Sequence, residues 1–311
     1  MSFKNTDRLK GVLRCPACGG RIEWLNNKVR CENCNTEIKI HNKALVFYSK
    51  SLLPNYNKPS YSSSNGYHWP VIELIKKHKN GLILDYGAGN QIYNYPNVVQ
   101  LDVSLYPNTD VVIGTDSPLP FKDSSIDGVI SLAVLEHVKD PFFYISEIYR
   151  VLKPNRSCIL DTAFLQPLHA SPAHYFNTTS HAVELLFKDF ETDVLRAGPH
   201  QQPWIMLKWI LQSYINGMKS EKDRKAFRKQ TIAELEENFN KILEVGKKMQ
   251  EDSKSYEKFL EKTWNYTANL PEAIQCLFNI TENAEKELAA GFHVIARKPS
   301  RKNFLTKILK E

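Results

Sequence analysis

No stretch of the 311-residue chain approaches the ~18 consecutive apolar residues a helix needs to cross a bilayer. A helical membrane span is therefore not expected, yet the 42% hydrophobic content suits one large or two small domains with a real core. The N-terminus, MSFKNTDRLKG, lacks an apolar run, so no secretory signal is expected. Cysteine is scarce, six in all, and four of them fall in a metal-type pattern. That pattern points to a reducing compartment, most simply the cytoplasm. Charge is unevenly supplied: residues 1–60 hold eleven Lys/Arg and four Asp/Glu, and 11 − 4 = +7, the net charge of the whole chain. The remainder is balanced, and four thiolates around a divalent zinc would cut the local excess to about +5. Such a basic module suits phosphate, nucleic acid or an anionic membrane surface, or serves solubility alone.

Cys15/Cys18 and Cys31/Cys34 are two C-x2-C knuckles separated by twelve residues. Two tight turns, each offering two soft thiolates, build a closed tetrahedral site, and closed sites are structural. With short alternating stretches between them (RIEW, NKVRC), residues 1–48 read as a zinc ribbon. Residues 49–68, rich in Ser, Asn, Pro and Tyr, read as a linker whose tyrosines could instead fold over a neighbouring pocket. An α/β pattern follows over 69–200: strands in GLILDYG, VVQLDVS, DVVIGT, DGVISLA, SCILDTAF and FETDVLRAG, with helices in PVIELIKKHK, PFFYISEIYRVLK and SHAVELLFKDF. Residues 201–288 are helical, charged and strand-poor, an insertion before a last strand at 289–299 and a basic tail at 300–311.

After the strand LIL comes Asp85-Tyr-Gly87-Ala-Gly89, and only eleven residues separate Gly89 from Leu101. Glycines there let the chain turn sharply and let a ligand approach the backbone. Asp85 sits at the carboxyl end of its strand, where open α/β sheets place ligands, and Asp102 ends the next strand, where an acid can accept both ribose hydroxyls of a nucleoside. The third glycine of a dinucleotide fingerprint is missing from GAGNQI, and little room remains for the helix whose N-terminus would face a pyrophosphate. A ligand with a ribose and no phosphate needs no such device, and S-adenosylmethionine is one.

The segment LPFKDSSIDGVISLAVLEHVKDPFFYISEIYRVLKPN resembles the class I S-adenosylmethionine-dependent methyltransferases of small-molecule type, with their L-P-F-x-D-x-S-x-D, V-L-E-H-V and R-V-L-K-P patterns. The resemblance covers roughly residues 75–200 and 290–298. With AFLQPLHASPAHYFNTTSHAVELLF it is similar to a bacterial subgroup associated with surface-glycan or cell-envelope biosynthesis. It implies a Rossmann-like seven-stranded sheet, here with shortened first crossovers. It also implies that Asp85, Gly87 and Gly89 line the methionine end of the cofactor, Asp102 takes the ribose, Thr115 and Asp116 flank adenine, and Leu132 and Ala133 border the sulfonium. For Leu132 and Ala133 plain apolar packing is an equal reading. Asn155 and Arg156 stand where the family has two glycines, in a turn away from the cofactor.

Methyl transfer depends heavily on positioning, and an oxygen acceptor must also lose a proton, a task that suits histidine. Candidates after the fourth strand are Glu136 and His137; after the fifth, His169, His174 and Tyr175; after the sixth, His200. Packing or capping is the competing reading for each histidine. No N-P-P-Y or D-P-P-Y string follows the fourth strand, which argues against methylation of an exocyclic amine. In the insertion, PWIMLKWILQSYI is apolar nearly all round, and Ile232, Leu235, Phe239 and Ile242 make a 3-4-3 seam for a helical hairpin, a lid or a homodimer. The tail RKNFLTKILKE is amphipathic and basic, suited to an anionic membrane. The leading expectation is methylation of a hydroxyl or amine on a small-molecule, glycan or lipid-linked acceptor. The alternatives are an RNA methyltransferase whose ribbon binds phosphate, and a non-catalytic cofactor- or partner-binding protein.

Overall fold

The structure, a computed structural model, describes residues 6–25, 28–41, 43–47, 66–169, 173–192, 201, 203–251 and 281. Met1–Gln202 and Pro203–Glu311 form two compact units, and each is described by itself.

The first unit is built on one sheet. Its strands in chain order are β1 (Ile22–Leu25), β2 (Lys28–Cys31), β3 (Glu37–His41), β4 (Ala44–Phe47), β5 (Ile83–Tyr86), β6 (Val98–Asp102), β7 (Val111–Ile113), β8 (Gly128–Leu132) and β9 (Cys158–Asp161). Their spatial order is β1-β2-β3-β4-β7-β6-β5-β8-β9. The five strands from β7 to β9 are parallel, and the order reverses at β5, which pairs with β6 on one side and β8 on the other.

The expected seven-stranded sheet needs correction: nine strands are present among the described residues. The four cysteine-module strands join the core directly, because β4 runs parallel to β7 with Leu45 opposite Val111 and Phe47 opposite Ile113. Without β4, β7 would be an edge with a row of unpaired amides and carbonyls. Of the expected sixth strand at 190–198, residues 190–192 are not in a strand and 193–198 lie outside the described residues, as do 289–299, the expected last strand, and the basic tail.

Alternation along the strands sorts the two faces. Leu84, Tyr86, Val99, Leu101, Val111 and Ile113 point into one cluster with Leu9, Leu13, Ile22 and Val29 of the cysteine module and with helix α3 (Pro141–Val151). Ile83, Val98, Ile130 and Leu132 point to the opposite face, under Val71, Leu74 and Ile75 of helix α2 (Trp69–Lys77). Burying each such side chain contributes about 1.5–3 kcal/mol, so the cysteine module shares the core that holds the sheet. Helix α3 starts where its sequence says it should: Asp140 accepts the Phe143 amide at 2.9 Å, and Pro141 follows in the first turn.

No helix occupies residues 87–97 or 103–110, the connections from β5 to β6 and from β6 to β7. A helix satisfies its own backbone; these loops borrow side-chain amides instead. Gln100 donates to the Tyr93 carbonyl at 2.8 Å, Asn97 to those of Ile75 and His78 at 2.9 and 3.0 Å, and Asn108 to that of Gln91 at 3.0 Å.

The motif residues of the 119–156 segment are braces. Arg150 donates to Glu147, Asp123 and the carbonyls of Phe121 and Leu119, while Glu147 accepts the Leu119 amide at 2.6 Å. Asp127 accepts the Leu82 amide at 3.0 Å and Lys153 at 2.8 Å. Asn155 has φ +57°, so the turn needs the left-handed conformation that Gly adopts freely and Asn tolerates best among side-chain residues.

A short helix, α4 (Ser180–Leu186), completes the first unit after β9. The second unit contains α5 (Pro203–Gly217), α6 (Glu221–Lys229) and α7 (Ile232–Glu251). Met218 and Phe227 are its buried pair, packed by Tyr214, Ile215 and Leu235. Thr231 and Glu234 cap α7 reciprocally. Of the 3-4-3 seam, Leu235 joins this cluster and Ile232 is 77% exposed; the side chains of Phe239 and Ile242 lie outside the described set. Among the described residues no helix is long and apolar enough to cross a membrane.

Candidate active site

The two knuckles are copies of one turn. Gly19 donates to the Cys15 carbonyl and Asn35 to that of Cys31; Cys15 donates to the Gly20 carbonyl and Cys31 to that of Thr36. Gly19 (φ +72°) and Asn35 (φ +57°) are both left-handed. This brings the four sulfurs within 4.8 Å of one another, with Cys15 Sγ 3.7 Å from Cys34 Sγ and Cys18 Sγ 3.4 Å from Cys31 Sγ. Sulfurs at about 2.3 Å from a central zinc would stand about 3.8 Å apart, so the quartet fits a tetrahedral cation with little adjustment. Burial pushes the Cys15 thiol up to about 12, whereas the Thr36 hydroxyl and amide beside Cys34 pull that thiol down to about 6.

Asp85, Gly87, Gly89 and Asp102 come together at the carboxyl ends of β5 and β6. Gly89 donates its amide to Asp102 Oδ2 at 2.9 Å, and Ser104 donates to Oδ1 at 2.8 Å. The acid thus holds the glycine turn through one oxygen and its own loop through the other, and each keeps a lone pair for a further donor. Gly87 has φ +84°, and a Cβ there would stand 2.5 Å from Val134 Cγ2. The turn is therefore pressed against the loop after β8, where only glycine fits. Asp85 is 3% exposed. Burial raises its carboxyl to about 7, Asp102 adds to the rise, and the Tyr67 hydroxyl, donating at 2.6 Å, holds it back. Burial also raises Asp102, opposed by the amides of Ser104, Gly89 and Val103.

Thr115 and Asp116 are exposed just beyond β7, with Asp116 at φ +57°. Leu132 is buried against the α2 cluster. Ala133 is half-buried at φ +56°, its amide donating to the Asp161 carbonyl. Apolar side chains line the rim: Ile92, Tyr93 and Val103 beside the glycine turn and Phe164, Leu165 and Leu168 after β9 are all exposed.

Across the switch point, a 3-10 turn at Leu135–His137 carries Glu136 and His137. His169 and His174 lie against it: His137–His169, His137–His174 and His169–His174 ring centres are 5.1, 5.9 and 4.4 Å apart. The amides of Tyr175 and Phe176 donate to the Glu136 carbonyl. The Glu136 side chain is fully buried, and neither carboxylate oxygen has a hydrogen-bond partner. Burial raises its pKa, while His169 and the amides of Glu136 and Ala163, near but outside bonding geometry, hold it back. Burial and then His169 lower His174, whose Nε2 donates to the Phe176 carbonyl and Asn177 Oδ1, both at 3.1 Å. His200 lies outside the described residues.

Residues 88–160 match the family model described as a methyltransferase domain. The matched segment holds Gly89, Asp102, Thr115, Asp116, Leu132, Ala133, Glu136 and His137. A probable S-adenosylmethionine-dependent methyltransferase of Mycolicibacterium smegmatis is 33% identical over 84 residues, 26% of this chain and 33% of that protein. The chain thus spans about a third of the length of this curated relative. Among solved structures, a methyltransferase of Aquifex aeolicus aligns over 48% of this chain and 86% of its own at 17% identity and TM-score 0.31. YcgJ of Bacillus subtilis aligns over 50% and 86% at 16% identity and TM-score 0.33. A complex between the Haloferax volcanii Trm112 methyltransferase activator and a methyltransferase aligns over 40% and 76% at 18% identity and TM-score 0.28.

Two side chains at the carboxyl edge were not singled out from sequence. Tyr67, at the end of the expected linker, reaches Asp85 and packs with Tyr93 and Tyr95 at 6.2 and 5.9 Å. His68 Nε2 meets Asp161 Oδ2 at 3.1 Å. The sequence offers the linker tyrosines as able to fold over a neighbouring pocket, and Tyr67 is the one among the described residues that reaches Asp85; nothing in sequence marks the His68 contact.

Proposed function

We propose that the protein is an S-adenosylmethionine-dependent methyltransferase acting on a hydroxyl or amine of a small-molecule, glycan or lipid-linked acceptor. The observation that carries this reading is the glycine turn held by Asp102 on a β7-β6-β5-β8-β9 sheet with no helix between β5 and β6. An acid with spare lone pairs beside the glycine turn supports a nucleoside ligand, and the lack of a helix between β5 and β6 speaks against a pyrophosphate. When bound, S-adenosylmethionine supplies a methyl group on a sulfonium. Asp102 offers its remaining lone pairs to ribose hydroxyls, and Gly87 and Gly89 leave their backbone open to the methionine end. Asp85 provides a buried carboxyl on the same side. Thr115 and Asp116 flank adenine, and Leu132 and Ala133 border the sulfonium. Glu136, His137, His169 and His174 face the acceptor, orienting it and taking up its proton. A zinc ion on Cys15, Cys18, Cys31 and Cys34 cross-links the ribbon that completes the sheet. Localisation at the cytoplasmic face of a membrane, and a homodimer through the helical unit, fit an acceptor with a lipid anchor; Leu207, Ile210 and Leu211 of α5 are exposed.

An RNA acceptor is the second reading. It is favoured by a cleft of about 350 Å³ lined by Arg14, Arg21 and Lys122 beside Asp123, although Arg14 is paired with Asp123 and Lys122 with the Gly11 carbonyl. A direct test is calorimetry with S-adenosylmethionine and with NAD. Binding of the first alone supports the reading; binding of NAD alone would reassign the fold to dinucleotide chemistry.

A further inference from the structure

Glu136 is the anomaly of the carboxyl edge. It is 0% exposed, and both carboxylate oxygens lack a partner. A buried carboxyl is ordinarily hydrogen-bonded, ion-paired or bound to a metal. Protonation would lower the cost of burial but would still leave the carboxyl with no partner within hydrogen-bond distance. What stands beside it is imidazole: a Glu136 oxygen and one nitrogen each of His137 and His169 lie within 4.8 Å of one another.

The histidines are oriented as ligands are. His137 Nδ1 stands 2.6 Å from the Ala173 carbonyl, and His169 Nδ1 stands 2.9 Å from that of Pro167. A carbonyl only accepts, so in each ring Nδ1 carries a proton, and the neutral tautomer this selects has its ligand nitrogen at Nε2. Fixing the tautomer by an N–H to a backbone carbonyl is how metal-binding histidines are held. The glutamate and one histidine come from a single 3-10 turn, and the Tyr175 and Phe176 amides tie the returning loop to the Glu136 carbonyl. The donor set is built on backbone contacts from both sides.

We propose that Glu136, His137 and His169 bind a divalent first-row transition ion such as manganese or zinc. Two imidazoles and a carboxylate suit these borderline ions, and three protein ligands leave positions open. At bond lengths of about 2.0–2.2 Å the three groups close in by small side-chain rotations, and the ion becomes the missing partner of Glu136. Its use, which rests on the methyltransferase reading, is to hold an acceptor oxygen at the β8–β9 side of the sheet. It narrows the acceptor class to compounds presenting a hydroxyl.

The test separates this site from the cysteine quartet. Thiolates favour zinc and disfavour manganese, so Mn²⁺ titrated into the full chain carrying a single equivalent of zinc, followed by the electron paramagnetic resonance of free Mn²⁺, reads the new site. The wild-type chain should bind about one Mn²⁺, and Glu136→Gln, nearly isosteric, should weaken binding by about a hundredfold or more. Metal analysis after zinc loading should fall from about two equivalents to about one in the same variant. If Glu136→Gln does not fold, His169→Ala, on the returning loop, gives the same comparison. A wild-type chain with no Mn²⁺ binding and only the thiolate-bound zinc, or a folded Glu136→Gln chain with unchanged metal binding, overturns the proposal. S-adenosylmethionine calorimetry on the same samples keeps the two readings apart: metal bound without S-adenosylmethionine strikes the methyltransferase reading and leaves the cation site standing.

Discussion

The two sides of the β5–β8 switch point each present a buried acid at the end of a strand, and they treat it in opposite ways. On the β5–β6 side Asp102 accepts two backbone amides and Asp85 accepts a tyrosine hydroxyl. On the β8–β9 side Glu136 accepts none. A carboxylate that already holds backbone amides shapes a turn and keeps a defined face for a neutral ligand such as a ribose. A carboxylate with histidines beside it and no donor of its own is suited to a cation, as proposed above. On the proposed reading, one half of the edge is preorganised for the cofactor and the other serves the acceptor.

The largest effect should come from forcing the two halves apart. Gly87→Ala places a Cβ against Val134 in a left-handed turn. Left-handed strain of about 1–2 kcal/mol and overpacking of about 1–3 kcal/mol predict a loss of roughly 2–5 kcal/mol in urea unfolding. Gly87→Ala with Val134→Ala should recover the overpacking part. A Gly87→Ala chain of wild-type stability would mean the turn and the β8 loop are not in contact.

Next in size is removal of the preorganised acid. Asp102→Ala leaves ribose hydroxyls without an acceptor and the Gly89 amide unheld, a loss of about 1.5–3 kcal/mol, or roughly ten- to a hundredfold in S-adenosylmethionine affinity. Calorimetry showing wild-type affinity would remove Asp102 from the site.

Much of this edge was legible in sequence, for a physical reason. Glycine and acid at fixed spacing after an apolar run report local backbone requirements, and Gly87, Gly89, Asp85 and Asp102 meet as that pattern implies. Short, largely apolar runs likewise announced β5, β6 and β8, which are buried at every position. The attachment of β4 to β7 was not legible, because edge pairing is made by backbone groups that any sequence carries. The linker tyrosines were legible as candidates to cover a pocket, but not which of them would meet Asp85, since Tyr67 and Asp85 lie eighteen residues apart. Clustering of His137 with His169 was legible only as a choice among histidines, since it requires knowing that the loop after β9 folds back over the turn after β8.

A smaller effect concerns pH. Asp85 has its folded carboxyl raised to about 7 by burial, above its unfolded value near 4. The folded state binds more protons between these values, so this group makes stability fall as pH rises from about 4 to about 7, and level above that. The Tyr67 hydroxyl favours the ionised form, so Tyr67→Phe should raise the folded value further. The stability gap between wild type and Tyr67→Phe should be about 1–2 kcal/mol at pH 8 and shrink as pH falls through 7. Unfolding curves at pH 5 and pH 8 with equal gaps would show that Tyr67 does not act on an ionised Asp85.

The division of labour between the two acids is tested most directly by S-adenosylmethionine calorimetry on three full-length chains: wild type, Asp102→Ala and Glu136→Gln. The account predicts binding to wild type, a ten- to hundredfold loss in Asp102→Ala by about 1.5–3 kcal/mol, and wild-type affinity in Glu136→Gln. No binding to the wild-type chain, or equal losses in the two variants, would contradict it.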